Sequence, residues 1–281
     1  MKRLMKILPL LILALAVVIR VFDPAPVEQL RLAAFDQLQK LEPRPYTALP
    51  VRIVDIDEKS LAALGQWPWP RTVIADILVK LESAGAAAVA FDVLFAEPDR
   101  TSPKKIINKW RGYLETSQNE ELKVLAEELP DHDEVLAASL QRLPTVLGVM
   151  FDNTGVIPEM PKPKWSYAKQ GKDPRDFLQT YTGAVKALEI LSAKTAGLGS
   201  INSTLDNDGI IRRVPLFVRL RTKGNFSSEV FPTLSVEALR VAQRASTYLL
   251  RSSGASGDES FGENIGLQEI RVGRIKVPTT G

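Results

Sequence analysis

Apolar and polar positions along the chain sort into distinct blocks. The first is an unbroken apolar run from Ile7 to Ile19, with Lys2, Arg3 and Lys6 before it and Arg20 after it. A core of about 13 residues has signal-peptide length. Counted from Leu4 to Phe22, with Lys6 and Arg20 snorkelling, it approaches the roughly 20 residues that span a bilayer. Ala14-Leu15-Ala16 offers a cleavage site, so an uncleaved anchor and a cleaved signal both fit. In either case the basic flank keeps the N-terminus inside and exports the remainder of the chain. Asp23-Pro24-Ala25-Pro26 breaks the run, and Pro26 suits a first helical turn. Val27, Leu30, Ala34, Leu38 and Leu41 then recur at three- and four-residue spacing, which predicts an amphipathic helix over Val27–Leu41. Such a helix either packs on the domain or dimerises and transmits motion.

The next block, Val51 to Asp99, has the pattern of a βαβ unit. Arg52–Ile56 is short, apolar and β-branched, as a buried parallel strand is. Ser60–Leu64 predicts one or two helical turns, with Asp57 as the cap and Gly65 as the stop. Gly65-Gln66-Trp67-Pro68-Trp69-Pro70-Arg71 leads into a helix capped by Thr72, with Val73, Ile74, Ile77, Leu78 and Leu81 on one face and Gly85 at its end. Ala87–Phe95 is the second predicted buried strand. Parallel strands need such a crossover and place functional groups at their carboxyl ends. Asp55, Asp57, Asp92 and Glu97 fall at or just after such ends.

Residues 98–130 are rich in Lys, Glu, Asn and Ser and form an inserted polar excursion, helical around Glu120–Leu129. Asp133 is placed to cap a helix reaching Leu143, and Thr145–Phe151 predicts a third strand. Asn153–Asp176 reads as a long loop pinned by Trp165 and Tyr167, and Ala184–Lys194 as a helix. Gly197–Gly209 is a Gly/Asn/Asp-rich turn region that runs into a strand over Ile210–Arg221. Phe231-Pro232 opens a helix to about Leu250, and Ile270–Val277 is a hairpin about Gly273. Strand–helix alternation predicts an α/β fold: a mostly parallel central sheet flanked by helices, behind an N-terminal transmembrane or signal-anchor helix. The segments are 1–22, the anchor; 23–50, a juxtamembrane helix and linker; and 51–281, the exported domain.

Composition changes two points. There is no cysteine, so disulfides, thiolate metal sites and cysteine nucleophiles are excluded. The formal net charge is +3 and the pI about 9.0. Lys2, Arg3, Lys6 and Arg20 lie in the leader without an acid, and removing these four leaves −1 for residues 21–281. The basic pI thus belongs to the leader and is no argument for nucleic-acid binding.

Six groups of residues carry candidate chemistry. Asp55 and Asp57 invite comparison with the Asp-x-Asp of haloacid-dehalogenase phosphatases, but no later Asp pair or lysine motif accompanies them. A capping role for Asp57 and a cation or ligand pocket are the alternatives. Arg71 suits an anion or a buried carboxylate, with Asp92 or Asp57 as natural partners. Trp67 and Trp69 offer an aromatic wall or fill space between a loop and its helix. Asp206-Asn207-Asp208-Gly209 resembles a calcium loop, yet aligning Gly209 with the central glycine puts Thr204 first and Pro215 last, where carboxylates are needed. Arg212 and Arg213 point to opposite faces of their strand, so at most one joins a site. His132, the single histidine, excludes a multi-histidine metal site and is expected to be exposed beside Asp131 and Asp133.

Several blocks together carry a resemblance. Val54-Asp55-Ile56-Asp57, the Trp67-Pro68-Trp69-Pro70-Arg71 loop and Phe91-Asp92-Val93-Leu94-Phe95 with Glu97-Pro98-Asp99 are its core. Leu136–Leu140, Val146-Leu147-Gly148, Gly199, Asn202, Asp206, Asp208-Gly209, Arg212-Arg213, Pro215-Leu216 and Pro232–Ala238 extend it. From about Val27 onward the chain resembles the CHASE type 2 family, the extracytoplasmic sensory domains of bacterial cyclases and histidine kinases. The resemblance implies a domain that looks outward and is followed by transmembrane helices and a cytoplasmic output. No returning span or output domain stands in these 281 residues. The chain is therefore expected to be part of a longer protein or to work with a partner.

The resulting expectation is a membrane-attached, periplasmic or extracellular sensor, not itself an enzyme, that relays an unknown small-molecule or envelope signal to an output such as an adenylate or guanylate cyclase. It is expected to work as a homodimer, without nucleic acid, cofactor, metal or catalytic residues. Candidate ligand-binding residues are Asp57, Trp67, Trp69, Arg71, Asp92 and Arg212. The alternatives are an exported metal-dependent phosphohydrolase using Asp55 and Asp57, or a structural, partner-binding envelope module.

Overall fold

The computed structural model describes residues 2–22, 24–43, 45–107, 109, 128–221, 228–255 and 266–279. Two compact units are present: residues up to Ile56 with Asp206–Ile210, and Asp57–Leu205 with Ile211–Gly281.

The first unit holds α1 (Lys2–Phe22) and α2 (Ala25–Leu41), with Pro24 at the N-cap of α2. From Leu8 to Phe22 the large apolar side chains of α1 are exposed all round, Leu10 and Leu13 by 65% and 61%. Among the described residues no helix is long and apolar enough to cross a membrane. The side chains of the predicted basic flank, Lys2, Arg3, Lys6 and Arg20, lie outside the described ones. On α2, Val27, Glu28, Leu32 and Asp36 are half-buried. Asn207 of the 206–210 turn donates to Glu28 Oε2 at 2.7 Å. Leu30, Leu38 and Leu41 remain exposed. The strand expected over Arg52–Ile56 does not form. Residues 51–57 have no regular structure, and Ile53 is 92% exposed. A β-branched run becomes a strand only beside a neighbour that takes its backbone hydrogen bonds, and none pairs with it among the described residues.

The second unit is built from three small mixed sheets rather than one mostly parallel sheet. Its helices are α3 (Glu58–Leu64), α4 (Arg71–Ser83), α5 (His132–Arg142), α6 (Glu189–Ser192) and α7 (Leu234–Ala242). In the first sheet β2 (Thr145–Asp152) pairs parallel with β1 (Val89–Phe91) and β6 (Gly197–Ser200), and antiparallel with β5 (Gly183–Val185). In the second, β3 (Ser166–Gln170) runs parallel to β9 (Thr247–Ser252), which pairs antiparallel with β10 (Leu267–Val272), itself in a hairpin with β11 (Ile275–Pro278). In the third, β4 (Thr180–Tyr181) is parallel and β8 (Ser228–Pro232) antiparallel to β7 (Phe217–Arg221). Parallel pairs need a crossover connection, whereas the antiparallel β10–β11 pair closes through a tight turn. The predicted hairpin is present, with Gly273 at φ +56°.

Several predicted elements shift. Ala87–Phe95 narrows to Val89–Phe91, and Ile210–Arg221 to Phe217–Arg221. Of the predicted helix Ala184–Lys194 the first two residues lie in β5 and only α6 is helical, and the helix expected to reach Leu250 ends at Ala242, its last residues lying in β9. The helix expected around Glu120–Leu129 falls mainly outside the described residues. A core of Trp69, Ile74, Leu78, Phe95, Leu136, Leu140 and Leu147 joins α4 and α5 to β1 and β2. Two further cores, about Tyr248 and about Phe151 and Val218, lie under the other sheets.

Candidate functional site

The predicted residues disperse, apart from those of the Trp-Pro loop. Asp57 caps α3, its Oδ1 accepting from the Ser60 amide at 2.9 Å and the Ser60 hydroxyl at 2.6 Å. Those bonds, the hydroxyl's first, hold its carboxyl below the usual range. Asp55 sits in the exposed stretch of the first unit, and Asp92 is exposed after β1. Arg212 is half-buried outside any strand. Trp67 and Trp69 meet edge to face with centroids 5.7 Å apart. Trp69 is buried in the α4 core, and its Nε1 donates to the Gly65 carbonyl at 2.8 Å. Trp69 thus fills space in that core, while Trp67 is half-buried beside it.

Arg71 is buried, but its carboxylate partners are Asp99 and Asp133 rather than Asp92 or Asp57. Pro70, at the N-cap of α4, has no side-chain oxygen to offer. Asp99, 28 residues on, takes that place: its Oδ2 accepts from the Arg71 amide at 2.7 Å. The guanidinium donates from Nη2 to the Glu97 carbonyl at 3.2 Å and lies 4.4 Å over the Phe95 ring. Its Nε faces Asp133 Oδ1 at 3.5 Å, an ion pair in which neither buried atom makes a hydrogen bond. Asp133 Oδ2 accepts from the Asp99 amide at 3.0 Å, and Thr101 donates to Asp99 Oδ1 from amide and hydroxyl at 2.8 and 2.7 Å. His132 Nδ1 stands 3.0 Å from Asp99 Oδ2. The ring is thus largely buried, 16% exposed, and not at the surface as its acidic neighbours imply. Asp131, rather than Asp133, caps α5.

The starts of α4 and α5 and the loop after β1 therefore meet in one polar cluster. Both helices precede parallel strands, so their N-termini lie on the carboxyl side of the sheet, where open α/β folds place functional groups. Burial pushes the Asp99 carboxyl up, but hydrogen bonds from Arg71, Thr101 and His132 outweigh it and hold it below the usual range. Asp133 goes the other way, raised by burial and by the charges of Asp131 and Asp99 against the pull of the Asp99 amide and Arg71. Two neighbouring carboxyls are thus driven apart. Their signals in the sequence are Asp99 in the Phe91–Asp99 block and the Asp131-His132-Asp133 run.

A second buried polar centre involves none of the candidate ligand-binding residues. Glu237 of α7 is fully buried. Arg240 grips it from Nη2 at 2.6 Å and Nε at 2.9 Å, and the Tyr248 hydroxyl also donates to it. Arg240 further reaches the Ala245 and Ala196 carbonyls at 2.9 and 3.1 Å. Burial, then the Glu237 charge, pushes the Tyr248 phenol up. Beside Glu237 lies a cavity of about 40 Å³, lined among others by Lys164, Trp165, Thr195, Leu198 and Phe231. That is room for about one water, far from the several hundred Å³ of small-molecule pockets. Among the described residues no three His, Asp or Glu side chains are placed to hold a metal ion.

A family model described as the CHASE2 domain matches residues 11–280. No curated protein and no solved structure matches the chain. The chain belongs to the CHASE2 domain family, a family of extracytoplasmic sensory domains.

Proposed function

We propose that this CHASE2 domain is the outward-facing sensory part of a bacterial transmembrane receptor, relaying an envelope stimulus to a cytoplasmic output such as an adenylate or guanylate cyclase. The family match over residues 11–280 carries this reading. Residues 51–281 form the sensory domain, 23–50 the juxtamembrane link and 1–22 the anchor. Support for the anchor comes from the apolar run Ile7–Ile19 within α1, which approaches span length only when its flanks from Leu4 to Phe22 are counted with it. Its exposed apolar side chains find in lipid the cover they lack in water, and the basic residues at its start favour a cytoplasmic N-terminus. The exposed Leu30, Leu38 and Leu41 on α2 support a homodimer formed through that helix, with the relay a population shift between two arrangements of the pair.

Topology reporters fused after Leu41 and after Pro278 test the reading. A reporter active only outside the cytoplasm is expected to be active at both positions; activity of a cytoplasm-only reporter there overturns it. Turnover of phosphoesters with magnesium, lost in Asp55→Asn, would favour the phosphohydrolase alternative instead.

A further inference from the structure

We propose that the contact between His132 and Asp99 is a proton-responsive latch tying the loop after β1 to the starts of α4 and α5. The step from this latch to signalling rests on the sensory reading above; the latch itself does not.

Three elements converge on one carboxylate oxygen. Asp99 Oδ2 faces the Arg71 amide of α4 at 2.7 Å and His132 Nδ1 of α5 at 3.0 Å, while Asp99 belongs to the loop after β1. Any change in the His132 bond therefore acts on the cap of α4 as well. The ring is held from its own backbone, because the His132 amide donates to the Ser102 hydroxyl at 3.2 Å. Thr101 Oγ1 lies 3.4 Å from Nδ1, and the same hydroxyl donates to Asp99 Oδ1.

The charged groups around this point are Arg71 from α4, Asp99 from the loop, Asp131 at the N-cap of α5 and Asp133 from its first turn; Glu97 contributes only its carbonyl. With a neutral imidazole, three carboxylates face one guanidinium. Protonating the ring adds a second cation and turns a hydrogen bond with one ionised partner into one between opposite charges, an ion pair with Asp99. Imidazole is the side chain whose ordinary titration falls between pH 5 and 8, and His132 is the single histidine of the chain. Asp99, held below the usual carboxylate range, stays ionised across that window. Asp133, raised above the usual carboxylate value, adds stability that is present at low pH and lost as pH rises through its own titration, a contribution that the wild type and His132→Asn share. Acidification toward pH 5 therefore tightens the cluster.

The test is thermal unfolding of the full chain in detergent micelles from pH 8 to pH 5, for the wild type and His132→Asn. An asparagine amide can stand where Nδ1 stands and donate to Asp99, but it does not titrate in this range. The wild-type midpoint is expected to rise with acidification by about 2–4 °C more than that of H132N, the shift that one proton-linked interaction produces in a domain of this size. Equal slopes in the two proteins overturn the latch. Exchange of the Arg71 amide, corrected for its intrinsic rate, reads the same contact in the wild type alone, so a poorly folding variant does not decide the matter. Protection that increases toward pH 5 supports the latch, and unchanged protection refutes it. Neither result depends on which side of the membrane the domain faces, so failure of the sensory reading appears separately in the topology fusions.

Discussion

Gly197 and Glu237 approach so closely that a Cβ on the glycine would lie 2.0 Å from a carboxylate oxygen. The glycine on β6 thus opens the space in which α7 buries its acid. Two residues on, a Cβ at Gly199 would fall 2.5 Å from the Leu234 Cα. The Gly-x-Gly of β6 is a seat for α7. Gly197→Ala and Gly199→Ala are each expected to destabilise the second unit by about 1–3 kcal/mol through overpacking. Urea unfolding measures this, and the Gly199 variant should be the worse, because it meets backbone and not a side chain.

The Glu237–Arg240 pair predicts an asymmetry. Arg240→Met leaves a carboxylate buried without its cation and should cost about 3–5 kcal/mol. Replacing both, as Glu237→Leu with Arg240→Met, removes the stranded charge and should recover most of that loss. A double-mutant cycle by chemical denaturation checks both statements.

Asp99→Ala removes an acceptor used by the Arg71 amide, Thr101 and His132, and should cost about 1–3 kcal/mol, the desolvation of donors left unmatched. Asp57→Ala opens only an exposed helix cap and is expected to change the unfolding midpoint less.

Below pH 4 the sign reverses. Asp57, Asp99, Asp152 and Asp173 all titrate below the usual value of 3.8. Each contributes stability that is present above that value and is lost as pH falls through its lowered one. The unfolding midpoint should therefore drop from pH 4 to pH 2, and Asp99→Asn should flatten part of the drop.

Leu13→Arg places a charge in the middle of the α1 apolar run. On the proposed anchor it should cost about 2.5–3.5 kcal/mol of insertion free energy, read as loss of the chain from the membrane fraction. Unchanged fractionation would remove α1 from the anchoring role.

Much of the architecture is legible in the residues. The apolar run of α1, the cap at Asp57, the Arg71–Ser83 helix, β2 and the Gly273 hairpin follow from local periodicity and turn chemistry, which neighbouring residues decide among themselves. Helix and strand are hard to tell apart where short apolar runs serve either state. Val185 and Leu249 sit in strands because β2 and β10 lie beside them, and nothing within a few residues of either encodes that neighbour. The candidate site is legible at Arg71 and hidden at its partners. Sequence proximity favours Asp57 and Asp92, whereas the fold brings in Asp99 and, from beyond the polar excursion, Asp133.

The sequence by itself determined the family, the apolar run near the N-terminus and the candidacy of Arg71 for an anion or a buried carboxylate, because residue identity and spacing express these directly. Only the tertiary structure decided that Asp99 caps α4, that His132 turns inward, that Gly197 makes room for Glu237, and that three small mixed sheets replace one parallel sheet. Those choices depend on contacts between residues tens of positions apart, where packing selects among partners that local chemistry leaves equivalent.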